Sequence, residues 1–166
     1  MSGPTTFNIF LEKGLSLDIA KAIRKAKRVY LIGNGGSYAN AMHICNDLNS
    51  CGVKAHVLDP ATLTAYANDH GYANVYSLWL KHHGDKGDLL IVLSGSGNSP
   101  NIIEALKMAK TRNMKTWAII GDLYAKPGKA MKLADKYIIA GNTMQDAEDQ
   151  QLKIGHEILR WLKSGS

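Results

Sequence analysis

The sequence predicts an α/β fold: a five-stranded, parallel, doubly wound sheet with helices on both faces. Two observations support this. Five short apolar runs alternate with helical segments along the chain, and the runs are apolar over their whole length, as in strands buried on both faces of a parallel sheet. The 166 residues suit one domain, so we expect a single domain over 1–166. Ligands of such folds bind beyond the carboxyl ends of the strands, at a topological switch point.

The first half of the chain is expected to contain two strands. Val29–Ile32 is an apolar run that stops at a cluster of glycines, which is typical of a buried strand. A second run of strand character follows at 53–58. Between and after these runs, apolar side chains recur at helical spacing. We therefore expect strands at 29–32 and 53–58 and helices at 38–49, 61–67 and 72–82, with a break at Asn68-Asp69-His70-Gly71.

The second half contains the clearest strand, Leu89-Leu90-Ile91-Val92-Leu93. Two further runs, at 117–120 and 137–140, have the same unbroken apolar character and complete the predicted sheet. Helical spacing at 102–111, and from about 144 to 163, predicts two more helices.

Composition and charge favour a cytoplasmic protein that has neither a membrane nor a nucleic acid as its partner. No apolar run reaches the roughly 20 residues that a membrane span needs, and no signal-peptide pattern opens the chain. The net charge is +6, but the basic residues are scattered except at 21–28, where their spacing suits the solvated face of a helix. An anionic small ligand is equally compatible with this charge. Cys45 and Cys51 form no CxxC motif, so we expect reduced thiols.

Two loops rich in glycine, serine and asparagine follow predicted strands and lead into predicted helices. The first is Gly33-Asn34-Gly35-Gly36-Ser37, and the second runs from Ser94 to Pro100. In the second loop, Ser99 suits the N-cap of the next helix and Pro100 suits its first position. Helix starts present free N–H groups and a positive dipole end, so both loops are suited to bind phosphate. Hydroxyl donors in the second loop are Ser94, Ser96 and Ser99.

Two nucleotide-binding motifs fail at these loops. A dinucleotide fingerprint needs a third glycine, but Tyr38 stands at that position, and neither loop has the lysine of a P-loop. We therefore expect no nucleotide cofactor. The loops could also be plain strand-to-helix turns, but two serine-containing loops at one edge of the sheet favour a phosphate site.

Together with residues elsewhere in the chain, the two loops resemble the sugar isomerase (SIS) domain family, specifically its phosphoheptose isomerase branch. The resemblance covers the chain from about residue 28 to 162 and includes Ala41-Met42-His43, Asn68-Asp69 and His156. It implies interconversion of sedoheptulose 7-phosphate and D-glycero-D-manno-heptose 7-phosphate. It also implies a homotetramer with active sites between subunits, and a bound zinc ion.

The resemblance assigns roles to individual residues. Asp47 and His156 correspond to the catalytic acid and base of the family, and the implied metal ligands are these two with His43 and Glu148. The implied contacts to a phosphorylated sugar are Asn34, Gly35, Gly36, Ser37, Asn68, Asp69, Ser94, Gly95, Ser96, Ser99 and Glu148.

Helical geometry supports part of this set. His43 and Asp47 are spaced i, i+4 and share a helix face, so both could bind one ion. His156 lies in the apolar stripe of its predicted helix and could instead be a core histidine. Glu148 is about 80° away from the face of His156 on an ideal helix. Asp149 lies nearer that face but does not align with the family without a gap.

The sequence also departs from the family pattern. Asp47 stands in place of a glutamate, Glu148 of a glutamine, Gly95 of a threonine and Gln145 of an aspartate. Aspartate is one methylene shorter than glutamate, and a misplacement of about 1 Å in an active site can cost on the order of a hundredfold in rate. The alternative function is therefore a non-catalytic SIS protein that binds a sugar phosphate as a regulator or as a scaffold for a partner protein.

Overall fold

A computed structural model describes residues 13–123 and 128–165, with side chains from residue 17 onward. A 3₁₀ turn, Tyr72–Asn74, joins the third and fourth helices. In the described ranges the strands are β1 (Val29–Ile32), β2 (Ala55–Val57), β3 (Leu89–Ser94), β4 (Lys115–Ile120) and β5 (Lys136–Ile139). The helices are α1 (Lys13–Lys25), α2 (Gly36–Ser50), α3 (Pro60–His70), α4 (Val75–His83), α5 (Pro100–Thr111), α6 (Lys129–Leu133) and α7 (Met144–Lys163).

All five strands are parallel and lie in the order β2-β1-β3-β4-β5, which confirms the predicted fold class. In this order the topological switch point falls between β1 and β3. These two strands pair in register, with Ile32 opposite Val92. The loops that follow them therefore leave the same edge of the sheet side by side.

Helices cover both faces of the sheet. Successive residues of a strand point to opposite faces, so each strand contributes side chains to two cores. In β3, Leu89, Ile91 and Leu93 belong to the core beneath α1, α2 and α7. Leu90 and Val92 belong to the second core, beneath α4, α5 and α6. All five side chains are at most 2% exposed, which explains why this strand has no polar alternation in the sequence.

The predictions differ from the structure at α3, α4, β2 and α6. The helix predicted at 72–82 starts only at Val75, after the 3₁₀ turn. Helix α3 starts at Pro60, where the Asp59 carboxylate accepts a hydrogen bond from the N–H of Thr62, at 2.9 Å. It continues through Asn68 and Asp69, and the break comes only at Gly71, whose φ of 80° is readily adopted by glycine. Strand β2 is shorter than 53–58. Helix α6 was not predicted, because its five residues are too few to show helical periodicity.

Helices α2 and α7 pack side by side on one face of the sheet. Both follow a parallel strand, so both start at the edge where the two loops lie and run away from it. Near their starts, Nδ2 of Asn40 donates to the carbonyl oxygen of Glu148 at 2.8 Å. Further along, Gly155 leaves room for the side chain of Ile44, since a Cβ at Gly155 would lie 2.8 Å from Cδ1 of Ile44. This pairing continues to Asp47 and His156.

In residues 13–123 and 128–165, no helix has both the length and the apolar character needed to cross a membrane. Cys45 and Cys51 are free thiols, as expected.

Candidate active site

The first loop is held closely by the chain around it. The hydroxyl of Tyr76 donates to the carbonyl oxygen of Gly33, and burial raises the pKa of that phenol, so it stays protonated as a donor. A Cβ at Gly33 would lie 2.7 Å from the backbone of Ser37, so glycine is required there. Gly35 has a φ of 54°, and Ser37 is buried. The side chain of Asn34 is hydrogen bonded to Asn101 and Tyr72.

The second loop uses its own serines to fix its shape. Oγ of Ser94 accepts from the N–H of Gly97 at 3.0 Å, and Oγ of Ser96 accepts from the N–H of Asn98 at 3.2 Å. A hydroxyl that accepts keeps its own hydrogen to donate to a ligand. Ser99 is the N-cap of α5 and Pro100 its first residue, as predicted, but the Ser99 hydroxyl makes no capping hydrogen bond. The arrangement is thus suited to donate several hydrogen bonds to an anion.

The start of α7 forms a wall beside both loops. A Cβ at Gly95 would collide with the sulfur of Met144, the first residue of α7, whose side chain is partly exposed. A Cβ at Gly36 would collide with the carboxylate of Glu148. Glu148 therefore lies against the N-terminus of α2, where the helix dipole favours a negative charge.

Three potential metal ligands come together further along α2 and α7: His43, Asp47 and His156. Nε2 of His43 lies 3.4 Å from Oδ2 of Asp47 and 3.2 Å from Nε2 of His156. Nε2 of His156 lies 3.9 Å from the same carboxylate oxygen. Glu148 and Asp149 are not members of this group, so the structure brings together three of the four predicted ligands.

The carboxylate oxygen of this group is buried, whereas its two imidazoles are exposed. Oδ2 of Asp47 is buried and has no hydrogen-bond partner in the part of the chain that the structure describes. The imidazoles are open to solvent, with 51% of the His43 side chain and 40% of the His156 side chain exposed. His156 is therefore not a core histidine, which was the alternative interpretation of its place in the apolar stripe.

The chemistry and spacing of this group fit a zinc ion. Zinc prefers imidazole nitrogen and carboxylate oxygen at about 2.0–2.2 Å in a tetrahedron, which separates neighbouring ligand atoms by about 3.3 Å. The observed separations are 3.2, 3.4 and 3.9 Å. Three protein ligands with a fourth position open is the arrangement of a catalytic zinc site. The unpartnered Asp47 oxygen is the atom that such an ion would satisfy.

The two parts of the candidate site are well separated within one chain. At 1.5 Å per residue, positions 47 and 156 lie about 16 to 18 Å along α2 and α7 from the helix starts at Gly36 and Met144. The two loops lie at those starts. A small ligand held by the loops is therefore distant from the His–Asp–His group of the same chain.

Other residues add to this picture. Asn68 and Asp69 are exposed on the last turn of α3, and Nδ2 of Asn68 donates to Oδ1 of Asp69 at 2.9 Å. The sequence analysis did not identify Tyr72, Asn101 or Met144. The sequence holds one signal for Asn101, which is a polar residue directly after the serine loop; the structure shows that it is buried.

Comparisons with known proteins agree with this architecture. The model of the SIS domain family matches residues 13–121. The phosphoheptose isomerase of Chlorobaculum parvum is 36% identical over 158 residues, covering 88% of this chain and 74% of that protein. That of Fusobacterium nucleatum is 32% identical over 149 residues, covering 85% and 75%. The structure of phosphoheptose isomerase GmhA from Neisseria gonorrhoeae has a TM-score of 0.79 at 27% identity, covering 90% of this chain and 83% of that one.

The fold and the site define a class of α/β proteins, in which two loops suited to bind an anion lie at the switch point of a parallel sheet. With the matches above, the assignment becomes specific. The chain belongs to the SIS domain family and is related to its phosphoheptose isomerases, as its resemblance predicted.

Proposed function

We propose that this protein is an aldose–ketose isomerase that interconverts sedoheptulose 7-phosphate and D-glycero-D-manno-heptose 7-phosphate. The observation that carries the proposal is the buried, unpartnered oxygen of Asp47 beside two imidazoles. The relationship to phosphoheptose isomerases supports the choice of substrate. A cytoplasmic location stays a prediction.

The reaction needs a base and an acid close together. Starting from the ketose, a base takes a proton from C1 while an acid protonates the oxygen on C2, which gives an enediol. The aldose forms when a proton is added to C2 and the hydroxyl group on C1 loses its proton. Asp47 and His156 are the proposed acid–base pair, since a carboxylate and an imidazole 3.9 Å apart can act on adjacent atoms of one substrate.

The two loops are proposed to hold the phosphate and the sugar. Ser94, Ser96 and Ser99 donate to the phosphate, and the backbone of the first loop, with Ser37, lies along the sugar. Asn68, Asp69 and Glu148 are proposed as further sugar contacts. The contact of Glu148 with Gly36 supports its place beside the first loop.

A zinc ion is also proposed. His43, Asp47 and His156 would hold it, and when bound it would supply Lewis-acid polarisation of the substrate oxygens. Glu148 lies apart from these residues within one chain, so a fourth ligand bond from Glu148 would have to come from a neighbouring subunit. Neither Oδ2 of Asp47 nor Nε2 of His156 can bind an ion and a proton at the same time, so the proposed acid–base roles would then fall to the other oxygen of Asp47 and the other ring nitrogen of His156.

The proposed site is shared between subunits of an oligomer, a tetramer by family resemblance. The distance of about 16 to 18 Å between the loops and positions 47 and 156 of one chain, estimated from the helical rise, supports this proposal. The loops of one chain would then face the Asp47–His156 pair of another. The exposed imidazoles of His43 and His156 support such an arrangement, because a neighbouring subunit could reach them.

The test is turnover of sedoheptulose 7-phosphate in D₂O, followed by NMR. We expect the aldose to form with deuterium at C2, because the proton that passes through the acid–base pair exchanges with solvent. Binding of the sugar phosphate without any turnover would reject the isomerase. That result would favour the alternative, a sugar-phosphate-binding regulator or scaffold.

A further inference from the structure

The amide side chains of Asn34 and Asn101 form a reciprocal pair that joins the two loops. Nδ2 of Asn34 donates to Oδ1 of Asn101 at 3.0 Å, and Nδ2 of Asn101 donates to Oδ1 of Asn34 at 2.8 Å. Asn34 belongs to the first loop. Asn101 is the second residue of α5, directly after the serine loop, and is 1% exposed. The pair therefore connects two βα units at the point where each turns from strand to helix.

A third side chain completes the arrangement. The hydroxyl of Tyr72 donates to Oδ1 of Asn34 at 2.9 Å. Tyr72 starts the 3₁₀ turn after α3, and Tyr76 lies one turn further on, with its hydroxyl bonded to the carbonyl oxygen of Gly33. One short segment thus holds two consecutive residues of the first loop.

These bonds use most of what the Asn34 side chain can offer. A carboxamide oxygen has two lone pairs and its nitrogen has two hydrogens. Here the oxygen accepts from both Asn101 and Tyr72, and one N–H donates to Asn101. The side chain is therefore committed to its neighbours, which leaves the backbone of Asn34 as the part that could contact a sugar.

We propose that Asn101 and Tyr72 are positioning residues for the active site: with Asn34 they form an amide clamp that fixes the first loop relative to the serine loop. The proposal rests on the proposed function, since a sugar phosphate would span both loops. Positioning matters because an error of about 1 Å in a bound substrate can cost on the order of a hundredfold in rate. A buried amide pair suits this task, because any shift leaves polar groups unpaired in a site of low dielectric constant.

Two variants with matched controls test the clamp. Tyr72→Phe removes one hydroxyl from a side chain that is 49% exposed, so the fold should persist. Its control is Tyr30→Phe, which removes the bond from the Tyr30 hydroxyl to the carbonyl oxygen of His83 near the opposite edge of the sheet. Asn101→Asp keeps the shape of the side chain but removes the N–H group that donates to Oδ1 of Asn34.

The control for Asn101→Asp is Asn49→Asp, at the far end of α2. The Asn49 carboxamide also makes a reciprocal pair of bonds, to the N–H and the carbonyl oxygen of Ala55, each 3.1 Å long, and its Nδ2 donates to Sγ of Cys45 at 3.5 Å. This variant therefore removes a matched amide bond far from the loops.

The first measurement is amide hydrogen exchange without any ligand, which does not depend on the proposed substrate. Both clamp variants should accelerate exchange in both loops, at 33–37 and at 94–99, by roughly 3- to 10-fold, the effect expected for one lost hydrogen bond. The controls should leave both loops unchanged. If exchange changes in only one of the two loops, or in neither, the clamp is rejected whatever the activity.

The second measurement is the kinetics of Tyr72→Phe with sedoheptulose 7-phosphate, since this variant adds no charge near the phosphate. We expect kcat/KM to fall about tenfold, with most of the loss in KM, while Tyr30→Phe retains its kcat/KM. Equal kcat/KM in the two variants would reject the positioning role. If the unsubstituted protein has no turnover while exchange in its two loops is coupled, the proposed function fails and the clamp remains as a structural feature.

Discussion

Nε2 of His156 lies 3.9 Å from Oδ2 of Asp47, and that oxygen has no hydrogen-bond partner among the described residues. A buried carboxylate oxygen left unpaired costs free energy. A bound ion, a proton or a substrate hydroxyl would each satisfy it. This oxygen can therefore accept a further bond from an ion, a proton or a substrate.

The first prediction concerns this pair. Asp47→Asn and His156→Asn should each lower kcat by about 10²- to 10⁴-fold, the usual contribution of general acid–base catalysis. Binding of inorganic phosphate, measured by isothermal titration calorimetry, should be nearly unchanged, because the proposed phosphate ligands are the serines of the second loop and not this pair. If both variants retain turnover, the acid–base assignment is wrong.

The second prediction concerns metal binding. Added Zn²⁺ should raise the Tm of the unsubstituted protein, since saturation at a hundred times Kd stabilises a fold by about 2.7 kcal/mol. His43→Ala should abolish most of this shift, because it removes one of three ligands. His82→Ala, at an exposed position near the end of α4, is the control and should keep the shift. An equal shift in both variants would place zinc elsewhere.

The third prediction separates two serines of the second loop. Ser99→Ala should raise KM for the sugar phosphate by about tenfold or more, the effect of losing a hydrogen bond to a charged group, and leave Tm unchanged. Ser94→Ala should also lower stability by about 1–3 kcal/mol, because it leaves the buried N–H of Gly97 without its acceptor. Urea denaturation and steady-state kinetics measure the two effects. A stability loss for Ser99→Ala would contradict the distinction.

The fourth prediction concerns Gly95 and Met144. Gly95→Ala places a Cβ against the sulfur of Met144, and because this sulfur lies near the end of a flexible, exposed side chain, we expect Met144 to move aside at little cost in stability. We expect the displaced Met144 side chain to disturb the neighbouring loops, so that kcat/KM falls while Tm changes little. Adding Met144→Ala restores the space, so the double variant should recover most of the loss. If the double variant does not recover kcat/KM, the contact between Gly95 and Met144 is not the cause of the loss.

Much of the fold could be predicted because its strands are buried on both faces. Leu89–Leu93 shows no polar residue for that reason, and the loops after β1 and β3 are marked by glycine and serine. The end of α3 could not be read from the sequence, since Asn68 and Asp69 are common in turns and yet occupy the last helical turn before Gly71. Helix α6 is only five residues long and carries no periodic signal.

The candidate site was predictable in part. The spacing of His43 and Asp47 indicates a shared helix face, whereas the approach of His156 depends on the packing of α7 against α2. The place of Glu148 beside Gly36 depends on the same packing. The Asn34–Asn101 pair joins residues from separate βα units, and no local sequence pattern predicts such a contact.

The distance between the loops and the Asp47–His156 pair has a consequence for behaviour on dilution. If one chain supplies the loops and another the pair, each working site exists only while the oligomer does. Specific activity would then fall as the protein is diluted below the dissociation constant of its subunits, whereas phosphate binding, which one chain performs alone, would persist. Catalysis by this small fold would be a collective property, and recognition of its ligand an individual one.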